Sequence, residues 1–201
     1  DLEKNEGTGR AKNYGLQLCN YDYVAIMDAD DISTPDRFEK QINYLKEHPE
    51  IVVLGGQLQE FTDEKNNITA QRTVPLTYSE IIAYGKKRSP VNHPTSIYKK
   101  NEILKIGGYQ HHLLMEDYNL WVRALAHGYH TENLHDILLY QRVSNGMHGR
   151  RRGLQYIKSE WQLFKLKRNL KFKSFLPAFS LFVIRSSVRL LPASLLQKVY
   201  N

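Results

Sequence analysis

The sequence lacks the features of disulfide-stapled and membrane-spanning proteins. Cys19 is the single cysteine among 201 residues, so no disulfide can form within the chain. The longest apolar stretch, Phe175 to Ile184, is shorter than the roughly 18 residues that a transmembrane helix needs, and it contains Pro177. Nothing at the start of the chain resembles a signal peptide. We therefore expect a cytoplasmic protein, long enough for one core and an appendage.

Acidic residues are almost missing from the last part of the chain. Residues 142–201 hold 13 lysines and arginines and one acid, Glu160, whereas the preceding residues hold 15 basic and 20 acidic side chains. A uniformly basic protein would suggest nucleic acid. A basic tail on an acidic body suggests instead a tail that meets an anionic surface.

Helical and strand patterns alternate before this tail and predict an α/β fold with a largely parallel sheet flanked by helices. The predicted helices cover residues 9–20, 35–48, 79–86 and 116–127, and the predicted strands cover residues 23–27, 51–54, 57–61 and 95–98. Apolar spacing predicts the inward faces of the first two helices as Ala11, Tyr14, Leu18 and Cys19, and as Phe38, Ile42 and Leu45.

Two pairs of acids have a spacing that suits chemistry. Asp28 and Asp30 follow an apolar strand, where two carboxylates can face one hard divalent cation, although acids there also favour a turn. Glu116 and Asp117 open a predicted helix, where one of them could act as a general base or both could stabilise the helix start. Each pair alone leaves both alternatives open.

The order of these groups resembles a known family. In chain order the segments are Asn5, Gly7, Lys12, Asn13 and Gly15, then YVAIMDADD ending at Asp31, Pro35 with its helix, Gly107-Gly108-Tyr109, and MEDYNLWVR from Met115. Over about residues 5 to 145 they resemble glycosyltransferase family 2, which has the GT-A fold. The resemblance implies a metal-dependent, inverting hexosyltransferase that moves a sugar from a nucleotide-sugar donor to a saccharide acceptor in polysaccharide or glycan biosynthesis.

The roles of the family's residues carry over to matching positions. Asp28 and Asp30 would hold Mg²⁺ or Mn²⁺ and, with it, the donor diphosphate. Asp117 matches the catalytic base, and Glu116 would help to place it. The remaining residues expected to bind the nucleotide sugar are Lys12, Asn13 and Arg10. The family usually has arginine where this chain has Lys12, and Arg10 could compensate for that change.

Further positions match less well. His93 and Tyr109 lie where the family lines the acceptor, although a turn before a strand also explains His93 and a core position also explains Tyr109. A closing element contains Arg142, with Ser144 where many members have histidine. His148 could replace that histidine, or it could be an exposed loop residue.

The resemblance also implies a division of the chain. The family opens with strands that recognise the nucleotide base, and nothing before residue 9 corresponds to them. We expect residues 1–149 to form a GT-A-type catalytic domain without its N-terminal nucleotide-binding strands, and residues 150–201 to form a basic amphipathic helical tail. The alternative is a non-catalytic fragment or degenerate member that acts as a membrane-associated binding protein.

The tail has an apolar stripe surrounded by lysines and arginines; its members are Leu154, Ile157, Trp161, Phe164 and Leu166. Such a stretch can lie in a membrane interface. Many members of the resembled family extend lipid-linked acceptors at the inner face of a bacterial membrane. We therefore expect the tail to attach the protein peripherally to the anionic surface of that membrane. Burial against the catalytic domain is the alternative. We expect no nucleic acid partner, because the apolar residues 179–184 suit lipid better than phosphate.

Overall fold

A computed structural model describes residues 6–62, 67–143 and 153–190. Its helices are α1 Thr8–Leu18, α2 Arg37–Glu47, α3 Tyr78–Gly85, α4 Lys100–Lys105, α5 Glu116–Ala126, α6 Leu154–Asn169 and α7 Phe175–Arg189. Its strands are β1 Tyr23–Ala25, β2 Ile32–Ser33, β3 Val53–Phe61, β4 Ile68–Arg72, β5 Ile97–Lys99 and β6 Thr131–Arg142, with a 3-10 turn at His93–Thr95. The predicted helices are confirmed to within two residues, whereas β2, α4, β4 and β6 have no counterpart in the sequence prediction.

The strands form one sheet in the order β1, β5, β3, β6, β2, and β4 pairs with the second half of β3. β3 runs parallel to β6, and the other four pairings of described strands are antiparallel. The predicted α/β fold is confirmed, but the sheet is mixed rather than largely parallel. A parallel pair needs a long crossover, and β3 and β6 are separated by three helices, whereas only six residues separate β3 from β4.

The core lies on both faces of the sheet because alternate residues of a strand point to opposite faces. Val53 packs with Leu120 and Trp121 of α5 on one face. Leu54 packs with Leu45 of α2 on the other. Leu120 and Trp121 are both almost fully buried, so they belong to the core.

α2 buries polar residues on its inward face. Arg37, Gln41 and Leu45 are all buried and lie four residues apart, while Phe38 is 51% exposed. The prediction is therefore correct for Leu45 and wrong for Phe38. Gln41 Nε2 donates to the carbonyl oxygen of Thr95 at 2.9 Å. The inward face is selected by buried carbonyl groups that need donors, which apolar spacing does not detect.

α1 also turns a different face inward from the one that apolar spacing predicts. Gly9 and Leu16 are buried, whereas Tyr14 and Leu18 are exposed. A Cβ added at Gly9 would lie 2.8 Å from the carbonyl oxygen of Gln110, in the loop before α5. The glycine therefore lets α1 approach that loop closely, and this approach sets which face of the helix is covered.

The basic tail folds into a hairpin of α6 and α7 that packs on α5. Leu163 of α6 joins Met115, Tyr118 and Val122 in one buried cluster, and Phe164 is buried as well. The alternative that the stripe packs on the catalytic domain is therefore correct for part of α6. The clearly exposed members of the predicted stripe are Leu154 and Trp161.

Several of the tail's cations are used inside this hairpin. Glu160 is buried and forms ion pairs with Arg185 at 2.7 Å and Arg189 at 3.2 Å. Lys167 donates to the hydroxyl of Tyr118 at 2.6 Å, and burial, aided by the nearby Arg185, lowers the pKa of Lys167 to about 7. The cations that α6 and the following turn leave exposed are Lys158, Lys165 and Lys171.

α7 keeps a wide apolar face in solvent. Its most exposed members are Leu176 at 75% and Ile184 at 62%, followed by Phe175, Val183 and Phe179. In the described ranges, no helix combines the length and hydropathy that crossing a bilayer demands. The face is a surface patch of unusual size for a water-exposed helix.

The close approach of α1 predicts opposite effects for two glycines in that helix. Gly9→Ala should lower the free energy of unfolding by about 1–3 kcal/mol, because the new methyl group meets a backbone carbonyl. Gly15→Ala should raise it by about 0.5–1 kcal/mol, since a Cβ there meets no described atom within 4 Å and alanine favours helix. Urea unfolding of both variants measures the difference. Equal shifts would contradict the described contact.

Candidate active site

The acidic loop, residues 26–31, connects β1 to β2, which lie at opposite ends of the strand order. The N–H of Asp31 donates to the carbonyl oxygen of Asp28 at 3.2 Å, which closes a tight turn. Asp28 is partly exposed, and Asp30 is exposed. The turn thus carries two solvent-accessible carboxylates with one residue between them, and the expectation that both face one cation stays a prediction.

A buried arginine holds both ends of this loop. Arg37 donates to the carbonyl oxygen of Ile26 at 2.9 Å, just before the loop, and to Ser33 Oγ at 3.0 Å, just after it. The side chain has no exposed surface, and burial lowers its pKa to about 10, so the guanidinium stays charged at neutral pH. Arg37 therefore keeps a fixed positive charge at the two ends of the acidic loop. The negative charge of Asp31 stabilises the charged guanidinium.

Asp31, the third acid of the loop, is buried and hydrogen-bonded. Asp31 is buried and accepts a hydrogen bond from the backbone N–H of Arg142 at 3.0 Å. Burial raises the pKa of Asp31 to about 6, and the charges of Asp28 and Asp30 act in the same direction. Arg142 Nε also donates to the carbonyl oxygen of Asp30 at 3.3 Å. The end of β6 thus fastens the acidic loop, which gives the predicted closing residue Arg142 a direct contact with it.

The other acid pair opens α5 and has divided surroundings. Glu116 Oε1 lies 3.1 Å from Lys12 Nζ of α1, in a partly buried ion pair. Asp117 Oδ1 accepts a hydrogen bond from the backbone N–H of Tyr118 at 2.7 Å. Both acids are partly exposed. Lys12 of α1 therefore pairs with Glu116 and not with Asp117.

A second contact ties α1 to the loop before α5. Asn13 Oδ1 accepts a hydrogen bond from the backbone N–H of Tyr109 at 3.0 Å. Gly108 has φ of +57°, and a Cβ there would collide with Asn13 Oδ1, so glycine is needed for this contact. Arg123 of α5 donates to the carbonyl oxygens of Ile106, at 2.6 Å, and Gly108. The glycine turn is thereby held from both sides.

A buried histidine lies between the two acid pairs. His93 Nε2 is 2.9 Å from the hydroxyl of Tyr109. Burial lowers the pKa of His93 to about 4; Lys12 lowers it further, whereas Asp28 and Glu116 act to raise it. The ring is therefore neutral at pH 7. The backbone N–H of Ile26, where the acidic loop begins, donates to the carbonyl oxygen of Ser96 at 2.9 Å, so the segment that carries His93 contacts both the acidic loop and, through Tyr109, the loop before α5.

The loop carboxylates suit a magnesium or manganese ion in their chemistry. Both ions prefer oxygen ligands and usually keep several positions for water and phosphate oxygens. Asp28 and Asp30 offer two such ligands on one turn. Within residues 6–62, 67–143 and 153–190, no three histidine, cysteine, aspartate or glutamate side chains are placed to hold a metal. Two carboxylates on one turn would supply only part of the coordination sphere of such an ion.

Other predicted residues lie apart from this neighbourhood or inside the core. Arg10 is on the exposed side of α1, where it pairs with Glu6 at 3.3 Å. His93 and Tyr109 are buried, so their contact with an acceptor stays a prediction. Asn5, Ser144 and His148 lie outside the described ranges.

Sequence reasoning missed two arginines. Arg37 and Arg123 each hold a loop that carries site residues, and each is buried. One signal was available in the sequence for both. Arg37 precedes Gln41 and Leu45 by whole turns, and Arg123 follows Leu120 within the apolar face of α5. A charged residue in line with the inward face of a helix indicates a buried group that satisfies carbonyl oxygens.

Comparison with known proteins gives consistent matches. Residues 1–107 match the family described as glycosyl transferase family 2. The chain is 48% identical over 200 residues to an uncharacterized glycosyltransferase of Haemophilus influenzae, and the match spans the whole chain and 74% of that protein. It is 44% identical, with the same coverage, to the amylovoran biosynthesis glycosyltransferase AmsE of Erwinia amylovora. It is 34% identical to the UDP-Gal:alpha-D-GlcNAc-diphosphoundecaprenol beta-1,3-galactosyltransferase of Escherichia coli, of which it spans 72%.

Solved structures share the fold at low sequence identity. Staphylococcus aureus TarS, in complex with UDP-GlcNAc, matches 92% of the chain with a TM-score of 0.61 and 17% identity. The mannosyltransferase PcManGT from Pyrobaculum calidifontis, in complex with GDP-Man and Mn²⁺, matches 98% of it with a TM-score of 0.58 and 14% identity. The chain spans 54% and 59% of those two structures. At this identity the likeness shows the fold alone.

Proposed function

The chain belongs to glycosyltransferase family 2, and from this membership and the site geometry we propose that it transfers a sugar from a nucleotide-sugar donor to a saccharide acceptor with inversion of configuration. The predicted family and GT-A fold are confirmed. One observation carries the proposal. Residues 93–96 bond to the acidic loop through the backbone N–H of Ile26 and to the loop before α5 through the hydroxyl of Tyr109, which brings together two acid pairs almost ninety residues apart in the chain.

The donor half of the proposed site is the acidic loop with α1. Asp28 and Asp30 bind Mg²⁺ or Mn²⁺, and the metal, when bound, acts as a Lewis acid on the diphosphate leaving group. PcManGT, whose fold is shared, was solved with GDP-Man and Mn²⁺, which supports a divalent ion. Lys12, which lies 3.1 Å from Glu116 at the start of α5, adds a positive charge for the phosphates.

The acceptor half of the proposed site is the start of α5. Asp117 takes the proton from the acceptor hydroxyl while that oxygen attacks the anomeric carbon from the face opposite the leaving group. Glu116 does not serve as the base because it is paired with Lys12. It positions Lys12 and the first turn of α5 instead. The two acids thus have separate roles, set by their different partners.

The acceptor class is inferred from relatives. AmsE is named for amylovoran biosynthesis, and the Escherichia coli relative is named for transfer to a diphosphoundecaprenol-linked sugar. The chain is similar to both over its whole length. We propose that this chain also uses a lipid-linked saccharide acceptor, in the assembly of a polysaccharide.

A lipid-linked acceptor would require the enzyme to work at a membrane surface, and α7 supplies a face for it. Leu176 and Ile184 of α7 are exposed to solvent, and the same hairpin exposes Lys165 and Lys171. We propose that this face lies in the headgroup region of an anionic bilayer at the cytoplasmic side. Because Lys167, Arg185 and Arg189 are engaged within the hairpin, fewer cations face lipid than the composition of the tail suggests.

Donor binding tests the proposed function first. The full-length protein, titrated with a panel of UDP- and GDP-sugars in a calorimeter, should bind one donor with Mn²⁺ present and lose at least about tenfold in affinity without it. Asp30→Ala should reproduce the loss in the presence of Mn²⁺. Glu39→Ala, an exposed acid on α2, is the matched control and should bind like the wild type. Metal-independent binding by Asp30→Ala would contradict the assignment.

Turnover separates the base from the donor site. Asp117→Asn should lower kcat for transfer by about a hundredfold or more while donor affinity stays within about twofold, since only proton removal is lost. Glu116→Gln should have a smaller effect on kcat. A product assay by NMR should give the inverted anomer. Full transfer activity in Asp117→Asn would refute its role as base.

Vesicle binding tests the proposed face of α7. Leu176→Ser with Ile184→Ser should reduce partitioning to anionic vesicles by at least about tenfold, because each leucine- or isoleucine-sized side chain contributes about 1.5–3 kcal/mol when buried. Leu18→Ser with Tyr21→Ser removes equally exposed apolar groups outside the tail and should change nothing. Co-sedimentation measures both. Equal sedimentation of the two double variants would exclude α7 as the contact.

A further inference from the structure

The first helix of the tail touches the loop that leads to the proposed base. The backbone N–H of Leu113 donates to Gln162 Oε1 of α6 at 3.2 Å. Ser159 Oγ donates to the carbonyl oxygen of Leu113. His112 Nε2 donates to the carbonyl oxygen of Ser159 at 3.0 Å. Both backbone groups of Leu113 and the side chain beside it are therefore engaged by α6.

The same histidine continues into α5. His112 Nδ1 accepts from Asn119 Nδ2 at 3.0 Å, and Asn119 Oδ1 accepts from Arg123 Nε at 2.7 Å. Burial lowers the pKa of His112, which keeps the ring neutral with one donor and one acceptor nitrogen. The loop before α5 is thus hydrogen-bonded to Arg123 and Asn119 of α5 on one side and to α6 on the other.

The loop needs such support because part of its backbone is strained. Leu114 has φ of +63°, a left-handed conformation that costs a residue with a side chain roughly 1 kcal/mol or more. Leu114 lies between the anchored Leu113 and Met115, which precedes α5. Without the bonds to Leu113, the strain could relax by turning the peptide groups that lead directly into Glu116 and Asp117.

We propose that Gln162 and Ser159 of α6 are positioning residues for Asp117, so that the basic tail forms part of the catalytic apparatus. The proposal rests on the role of Asp117 in the proposed function. The two residues act through the backbone of Leu113, four residues before Asp117, and touch no reacting atom. Membrane contact through α7 and positioning through α6 are then carried by the two helices of one hairpin.

A pair of substitutions at one position isolates the hydrogen bond. Gln162→Met removes the acceptor with little change in length, and Gln162→Glu keeps a carboxylate oxygen for the N–H of Leu113. In the full-length protein, Gln162→Met should lower kcat about tenfold or more at unchanged donor KM, since small displacements of a catalytic group reduce rate strongly. Gln162→Glu should restore kcat to within about threefold of the wild type.

Hydrogen exchange at the backbone N–H of Leu113 gives a second readout besides activity. It should be at least about tenfold faster in Gln162→Met than in the wild type and Gln162→Glu. Ser159→Ala removes the other side-chain bond to Leu113 and should lower kcat in the same direction. Gln155→Met, the same change at an exposed glutamine of the same helix, is the control and should leave kcat and exchange unchanged.

The outcomes separate this proposal from the proposed function. If Asp117→Asn loses transfer while Gln162→Met and Ser159→Ala keep wild-type kcat, the positioning role is refuted and the base stands. If Gln162→Glu loses as much kcat as Gln162→Met, the hydrogen bond is not the cause and the proposal fails. If Asp117→Asn retains full transfer, the proposed base is wrong, and the proposal fails with it even where exchange at Leu113 follows the expected pattern.

Discussion

The close contact between α1 and the loop before α5 sets the geometry of the site. Gly9 allows the approach, Asn13 accepts a hydrogen bond from the backbone N–H of Tyr109, and Lys12 reaches Glu116. These three residues lie on one side of one helix and engage backbone or side chains about a hundred positions away. The contact ties α1 to the start of α5 and thereby places Lys12 beside the second acid pair.

Buried cations provide the rest of the framework. Arg37 and Arg123 each satisfy carbonyl oxygens of a loop that carries site residues, and the fork of a guanidinium can serve several acceptors at once. Burial of a charge is costly, and here the cost is offset by several hydrogen bonds for each arginine and, for Arg37, by the nearby Asp31. The arrangement fixes loops that would otherwise relax, at the positions where chemistry needs rigidity.

The sequence predicts the positions of the helices better than their orientation. Apolar spacing locates α1 and α2, yet it assigns Tyr14, Leu18 and Phe38 to the inside, and all three are exposed. The inward faces are chosen by Gly9, Arg37 and Gln41, whose roles depend on carbonyl groups from distant segments. The candidate site residues were found because their order resembles a family. Their mutual contacts, and the bonds from α6 to Leu113, are tertiary facts that no local pattern contains.

The central claim is that Asp28 and Asp30 bind the donor's metal while Asp117 faces the transferred sugar. A crystal structure of the full-length protein with its donor and Mn²⁺, measured at the manganese absorption edge, tests it most directly. The account predicts an anomalous peak within about 2–2.5 Å of carboxylate oxygens from the acidic loop. It also predicts that the carboxylate of Asp117 lies on the side of the anomeric carbon opposite the diphosphate. A peak away from the acidic loop, or Asp117 directed away from the sugar, would contradict it.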